Sequence, residues 1–212
     1  MSTIIEFNQK EKKQFIKSIE KSKYWLDVGC EGNCYLINKD VYKVYKNTCT
    51  PIICNTICKD DLDLKSILFP NEIYTCDQVV FAYKTDRYIQ GNNLLNIECP
   101  NLDSIKKALK PLIKDIYVLS KNHIFADDLS SPNLLFDGKR FYIIDTLRYE
   151  HHNELDVEQI YKENINLLIY ECFFPFIHEN DHYYELIPYI KKLAKKVQEE
   201  YKDKETQKIK RP

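Results

Sequence analysis

Two short apolar runs separated by Asp137-Gly138 constrain this chain more than any other feature. Leu134-Leu135-Phe136 precedes the pair, and Phe141-Tyr142-Ile143-Ile144 follows soon after it. Aspartate and glycine both tolerate positive φ, so the pair predicts the turn of a β-hairpin. A hairpin brings its two open ends together. One end carries Asn133 and the other Asp145, so a carboxamide and a carboxylate are expected side by side. Two oxygen donors meeting there suit Mg, which takes few protein groups and fills its shell with phosphate oxygens and water. Asp128 stands five residues before Asn133, outside that pair, and is left to act as a base. The plain alternative is a polar turn before a surface hairpin whose carboxylates are merely solvated.

The rest of the chain sets bounds on what such a hairpin could serve. Its 212 residues suffice for one large domain or two small lobes. A hydrophobic content of 44% supports a packed core. Lys and Arg number 31 against 32 Asp and Glu, a balance that argues against a dedicated nucleic-acid binder. No apolar run reaches the ~18 residues that would span a bilayer. The N-terminus, MSTIIEFNQKEKK, is too charged for a secretory signal, which predicts a cytoplasmic chain. Export as an effector would leave no mark readable in this way. The 8 cysteines form no C-x-x-C pair, so free, mostly buried thiols are expected rather than a zinc site.

Taken in order, residues 8–21 read as a charged helix with one narrow apolar stripe of Phe15, Ile16 and Ile19. Short aromatic and β-branched runs follow at Tyr24–Leu26, Cys34–Ile37 and Val41–Tyr45, the last two joined by a turn at Asn38–Asp40. Between the first two lies Asp27-Val28-Gly29-Cys30-Glu31-Gly32-Asn33-Cys34. The whole chain has only 4 glycines and two of them fall here, so a chance pairing is less credible. In VYKVYK, residues 41–46, strand alternation sends Lys43 and Lys46 to opposite faces, so only one can line a cleft. Alternation by itself leaves open which of the two that is. Lys59–Leu68 is the next helix candidate, and it contains no Glu. Gln78–Lys84 reads as a strand, and Asn101–Lys121 as a helix that Pro111 could split or kink. Arg148–Asp156 is short and polar, and its His151-His152 pair reads as a solvated loop. Val157–Phe174 and Tyr183–Tyr201 read as helices, and Lys202–Pro212 as a charged, frayed tail.

This order of features resembles the protein-kinase-like family, in a compact, bacterial-type or effector-type form. There the catalytic loop reads H-R-D-L-x-x-x-N and the metal-binding Asp opens D-F-G. Here Asp128-Leu129-Ser130-Ser131-Pro132-Asn133 keeps the Asp-to-Asn interval, with Ala126-Asp127 in place of His-Arg. Asp145-Thr146-Leu147 takes the second position. Set against G-x-G-x-x-G-x-V, Gly29 and Gly32 match the second and third glycines, and Asp27 stands at the first. The resemblance covers roughly residues 24–175 by motif.

The resemblance implies an α+β, small bilobal fold with an antiparallel-sheet N-lobe and a reduced helical C-lobe. Residues 1–23 would be an N-terminal helix, 24–85 the N-lobe, 86–201 the C-lobe and 202–212 a flexible tail. The cofactors implied are ATP and Mg. Lys43 would hold phosphates, Gly29 and Gly32 would admit them to the backbone, and Tyr88 and Ile89, in the hinge Asp86–Ile89, would meet adenine. Asp128 would be the catalytic base, and Asn133 and Asp145 the metal ligands. The acidic partner of Lys43 would come from the helix at 59–68, where Asp61 and Asp63 are the substitutes. The function implied is that of a minimal Ser/Thr protein kinase, with a protein substrate and an activating protein partner. A pseudokinase serving as a binding module is the alternative, and an aminoglycoside- or choline-type small-molecule kinase is the nearest enzymatic variant. No A-P-E follows Asp145, and the short segment leaves no room for a long activation loop.

Overall fold

The structure is a computed structural model that describes residues 2–21, 24–28, 31–46, 62, 64–97, 100–179 and 183–209. The chain divides into two compact units, one of Met1–Asp63 with Leu68–Ile89 and one of Leu64–Ile67 with Gln90–Pro212. It is an α+β chain, with a mostly antiparallel sheet in the first unit and helices dominating the second.

The first unit contains β1 (Thr3–Glu6), α1 (Gln9–Glu20), β2 (Trp25–Val28), β3 (Gly32–Ile37), β4 (Asp40–Tyr45), β5 (Glu72–Cys76) and β6 (Val79–Thr85). Its six strands run in the order β1-β5-β6-β4-β3-β2. All neighbours are antiparallel except β1 and β5. The strand β1 was not foreseen, because charge dominates the N-terminal sequence. It joins the sheet by pairing Ile4 and Ile5 with Ile73 and Tyr74.

Asn8 caps α1 by accepting from the Lys10 and Glu11 amides, while Glu11 reaches back to the Asn8 N–H. The expected stripe of Phe15, Ile16 and Ile19 then packs on one sheet face against Tyr35, Val44, Tyr74, Phe81 and Ala82. Phe15 and Tyr74 lie 4.4 Å apart between ring centroids. The β5–β6 turn is Asp77-Gln78, both at positive φ, which moves Gln78 out of the strand expected at 78–84.

The second unit contains β7 (Asn92–Asn93), α2 (Leu102–Lys121), β8 (Ile124–Phe125), β9 (Leu134–Phe136), β10 (Phe141–Ile143), β11 (Glu150–His151), α3 (Val157–Leu167), α4 (Phe174–Glu179) and α5 (Leu186–Ile209). A π-helical turn, Leu168–Phe173, makes α3 and α4 one continuous run, as the apolar pattern of 157–174 suggested. α2 holds through Pro111, and its buried stripe of Ile105, Leu109, Leu112, Ile113, Ile116 and Leu119 forms the centre of this unit. The hairpin forms with Phe136 opposite Phe141 and Leu134 opposite Ile143. Gly138 takes φ +90°, and the Asp137 carboxylate accepts from the Lys139 and Arg140 amides, which closes the turn locally. β7 joins as a third strand beside β9. Gly91 permits that approach, since a Cβ there would meet the Phe136 carbonyl oxygen at 2.7 Å.

One expectation needs correction. Within the helix expected at Lys59–Leu68, residues 64–68 are not helical. Lys65 and Ser66 give their amides to the Asp115 carboxylate, and Ile67 bridges in parallel to Ile143. Local helical spacing loses to these long-range bonds. Asp61 and Asp63 lie outside the described residues, as does Gly29. At the other end, α5 runs to Ile209, so the charged segment that begins at Lys202 starts as helix. Lys202 pairs with Glu158, and the Tyr201 ring rests 4.6 Å from that of Tyr117, which holds the beginning of that segment to the unit.

Candidate active site

In the second unit the hairpin ends meet as the sequence implied. The Ile144 amide donates to the Asn133 carbonyl at 2.9 Å, which sets Asp145 one residue from a direct backbone bond to Asn133. Asp145 itself adopts the left-handed conformation, φ 59° and ψ 48°. A non-glycine residue there is uncommon and carries strain that the surrounding structure must hold. The Asn133 amide nitrogen donates to the Asp128 backbone carbonyl at 3.0 Å and lies 3.5 Å from the Asp128 carboxylate. The carboxamide oxygen is therefore turned away from Asp128. Asp128 also has positive φ, 70°, and is half-buried, whereas Asp127 is exposed. The three residues of the D-x-x-x-x-N and Asp pattern thus gather on one hairpin and the turn before it.

The turn is held from behind by groups that sequence reading missed. Asn164, on α3, is fully buried. Its Oδ1 accepts from the Ala126 amide at 2.8 Å, and its Nδ2 donates to the Ser120 hydroxyl and the Ile124 carbonyl at 2.9 and 3.0 Å. Both sides of the carboxamide are used, so the backbone two residues before Asp128 is fixed to the helix core. Ser131 does the same farther along. Its hydroxyl lies 2.8 and 2.9 Å from the Glu171 and Cys172 carbonyls, on the π-helical turn. Such turns release carbonyls from the helix ladder and frequently accompany functional sites. An Asn within a helical stretch of apolar pattern was the signal available for Asn164.

The segment after Asp145 is closed, where a solvated loop was expected. β11 pairs with β8, and the His152 amide donates to the His123 carbonyl at 2.8 Å. His151 is exposed on that strand, and His152 sits between Glu150 and Glu154 at 3.9 and 2.8 Å. Tyr149 is 3% exposed and Thr146 2% exposed. Burial pushes the Tyr149 phenol well above its ordinary pKa, reinforced by Cys172 and by the carboxylates of Asp128, Asp145 and Asp127.

The first unit holds Lys43 on the sheet face opposite α1, since its neighbours Tyr42 and Val44 belong to the α1 side. Lys43 is 6% exposed, whereas Lys46 is exposed beyond the strand end. The Lys43 ammonium lies 3.7 Å from the Glu31 carboxylate and 5.1 Å from the centroid of the Tyr45 ring. A loop glutamate that the sequence reading had not assigned is thus one acidic neighbour of Lys43. Gly32 is required by close packing, as a Cβ there would meet the Val44 carbonyl oxygen at 2.6 Å. Tyr88 is exposed, and its amide is given to the Lys39 carbonyl at 3.1 Å, while Ile89 is buried.

No group of three or more His, Cys, Asp or Glu side chains among the described residues is placed to hold a metal ion. The Asn133–Asp145 pair fits a different pattern, oxygen donors only and few of them, which suits Mg bound chiefly through phosphate and water. No helix among the described residues is long and apolar enough to cross a membrane.

Neither a protein-family model nor a curated protein matches this sequence. Among solved structures the chain is similar to the PK-1 kinase of the Cydia pomonella granulovirus, with 17% identity and a TM-score of 0.47. That likeness covers 68% of this chain and 58% of the viral one, so the match spans a little over half of the kinase's length.

Proposed function

We propose that this chain is an ATP- and Mg-dependent phosphotransferase acting on a protein hydroxyl, in the manner of a minimal Ser/Thr kinase. The observation that carries the reading is the assembly of Asp128, Asn133 and Asp145 by the Ile144–Asn133 and Asn133–Asp128 hydrogen bonds. In this reading Asn133 and Asp145 would hold Mg, which supplies positive charge against the phosphates when bound. Asp128 would orient the acceptor hydroxyl and take its proton. Lys43 would hold the phosphates, Gly29 and Gly32 would let them approach the backbone, and Ile89 would lie nearest adenine while the Tyr88 amide stays with Lys39. Catalysis would come from positioning and charge stabilisation more than from covalent chemistry. A cytosolic chain with ready access to ATP, a protein substrate and a protein activator, and no nucleic-acid ligand, fits this activity and the balanced charge.

The test is transfer from labelled ATP with Mg, using a generic protein acceptor and a cell extract. Label on protein that disappears in a folded Asp145→Asn variant supports the reading, because the metal needs the full negative charge. Nucleotide binding without any transfer would instead make the chain a binding module, and label confined to small molecules would make it a small-molecule kinase. Equal transfer by the parent and by Asp145→Asn would remove Asp145 from the metal site.

A further inference from the structure

The helix candidate at 59–68 offers no glutamate to Lys43, and the first unit supplies one from another place. Glu31 directly precedes β3, and its carbonyl accepts from the Lys46 amide at 2.9 Å. That bond extends the β3–β4 ladder one step beyond the Gly32–Tyr45 pair. Gly32, pressed against the Val44 carbonyl, lets β3 lie close to β4 at this point. Glu31 is therefore fixed by backbone on the side of the loop that belongs to the sheet. From there its carboxylate reaches 3.7 Å from the Lys43 ammonium, whose side chain is 8% exposed against 32% for Glu31. The Tyr45 ring, two residues along the same strand face, adds a favourable surface for the cation at 5.1 Å.

We propose that Glu31 is the positioning residue that holds Lys43 in place, and that a nucleotide polyphosphate binds to the lysine so held. The second half rests on the phosphotransferase reading. A carboxylate beside a buried ammonium offsets part of its desolvation cost and holds the side chain extended before any ligand arrives. An ammonium has three N–H donors, and a carboxylate on one side does not exclude phosphate oxygens on another. Because the Glu31 backbone is bonded into the ladder, its carboxylate remains within reach of Lys43 when the polyphosphate binds.

Three proteins test this: the parent, Glu31→Gln and Glu31→Asp, each checked for an unchanged thermal melt. Lys43 acylation by an amine-reactive ester, read by mass spectrometry without nucleotide, reports directly on the pair. Glu31→Gln is expected to raise the Lys43 labelling rate several-fold, and an unchanged rate overturns the positioning role. ADP and adenosine affinities by calorimetry report on the ligand. Glu31→Gln is expected to weaken ADP by roughly three- to ten-fold and leave adenosine, which has no phosphates, unaltered. Glu31→Asp is expected to recover part of the loss. ADP binding as tight as the parent's, or tighter, overturns the proposal, the tighter case by making Glu31 a competitor of phosphate. A parent protein that binds neither ligand overturns the phosphotransferase reading, whereas the labelling result still decides whether Glu31 holds Lys43.

Discussion

Replacing Asn164 by Ala isolates what the buried carboxamide does for the loop that carries Asp128. Asn164 is fully buried and bonds to the Ala126 amide, the Ile124 carbonyl and the Ser120 hydroxyl. Ala126 and Ile124 are themselves buried, at 0% and 1% exposure, so water cannot replace the lost partner without opening the site. An orphaned buried amide costs roughly 1–3 kcal/mol, and a carbonyl with a second lone pair costs less. Ser120 loses little, because its hydroxyl also donates to the Ile116 carbonyl. The sum is a loss of about 2–4 kcal/mol of unfolding free energy. Urea unfolding followed by far-UV circular dichroism, which reads the helices of the second unit, measures it. Asn164→Asp is expected to fall between the parent and Ala. It restores an acceptor for Ala126 but sets a carboxylate against the Ile124 carbonyl. Transfer activity should fall more than nucleotide affinity in Asn164→Ala, since Asp128 lies two residues from the released amide. A stability change below about 0.5 kcal/mol, the range of ordinary surface substitutions, would refute the anchoring argument.

Lys43→Met is expected to lower transfer at least ten-fold more than Lys46→Met, as only Lys43 is buried on the sheet face away from α1; steady-state rates with ATP check it, and equal losses would sink the assignment. Burial pushes the Asp115 carboxyl above its ordinary range, against the pull of the Ser66 and Lys65 amides. The stability this group contributes is therefore complete below its unfolded pKa of ~3.9 and is lost as pH rises through the higher folded value. Asp115→Asn, which keeps an oxygen acceptor for both amides, should match the parent near pH 4 and exceed it at pH 7 in denaturant unfolding. Asp115→Ala should be weaker by roughly 1–3 kcal/mol at both. In the closed segment, Thr146 and Tyr149 are too buried to receive an activating phosphate, so mass spectrometry of active protein should find none there. A phosphate at either residue that raises turnover would contradict this.

What could be read from sequence was what local signals encode. Asp137-Gly138 closes its turn with its own side chain and a positive-φ glycine, so the hairpin needs no distant help. The spacing of Leu109, Leu112, Ile113 and Ile116 is enough to specify α2. Residues 64–68 misled because helical spacing there carries no trace of Asp115, about 50 positions away, which claims the amides a helix would use. The N-terminal strand was hidden by the charge around it, and its partner β5, about 70 residues on, leaves no local trace there either.

The candidate site divides along the same line, and in a way that bears on function. Residues expected to touch ligand, Asp128, Asn133 and Asp145, occur at short intervals in the chain, so their spacing can be read directly. Residues that hold them occur wherever the fold brings a helix or strand past. Asn164 is 38 residues from the amide it fixes, and Ser131 is about 40 from the carbonyls it meets. Glu31 is closer in sequence to Lys43, yet it was overlooked because a lysine partner was sought on a helix, whereas the residue that precedes β3 reaches the ammonium with its side chain. A positioning carboxylate needs only a fixed backbone and the right distance, and a ladder bond such as Glu31 to Lys46 supplies the first as well as a helix turn does. If Glu31 does steady Lys43, the strand that carries the lysine is bonded through Lys46 to the residue that holds it.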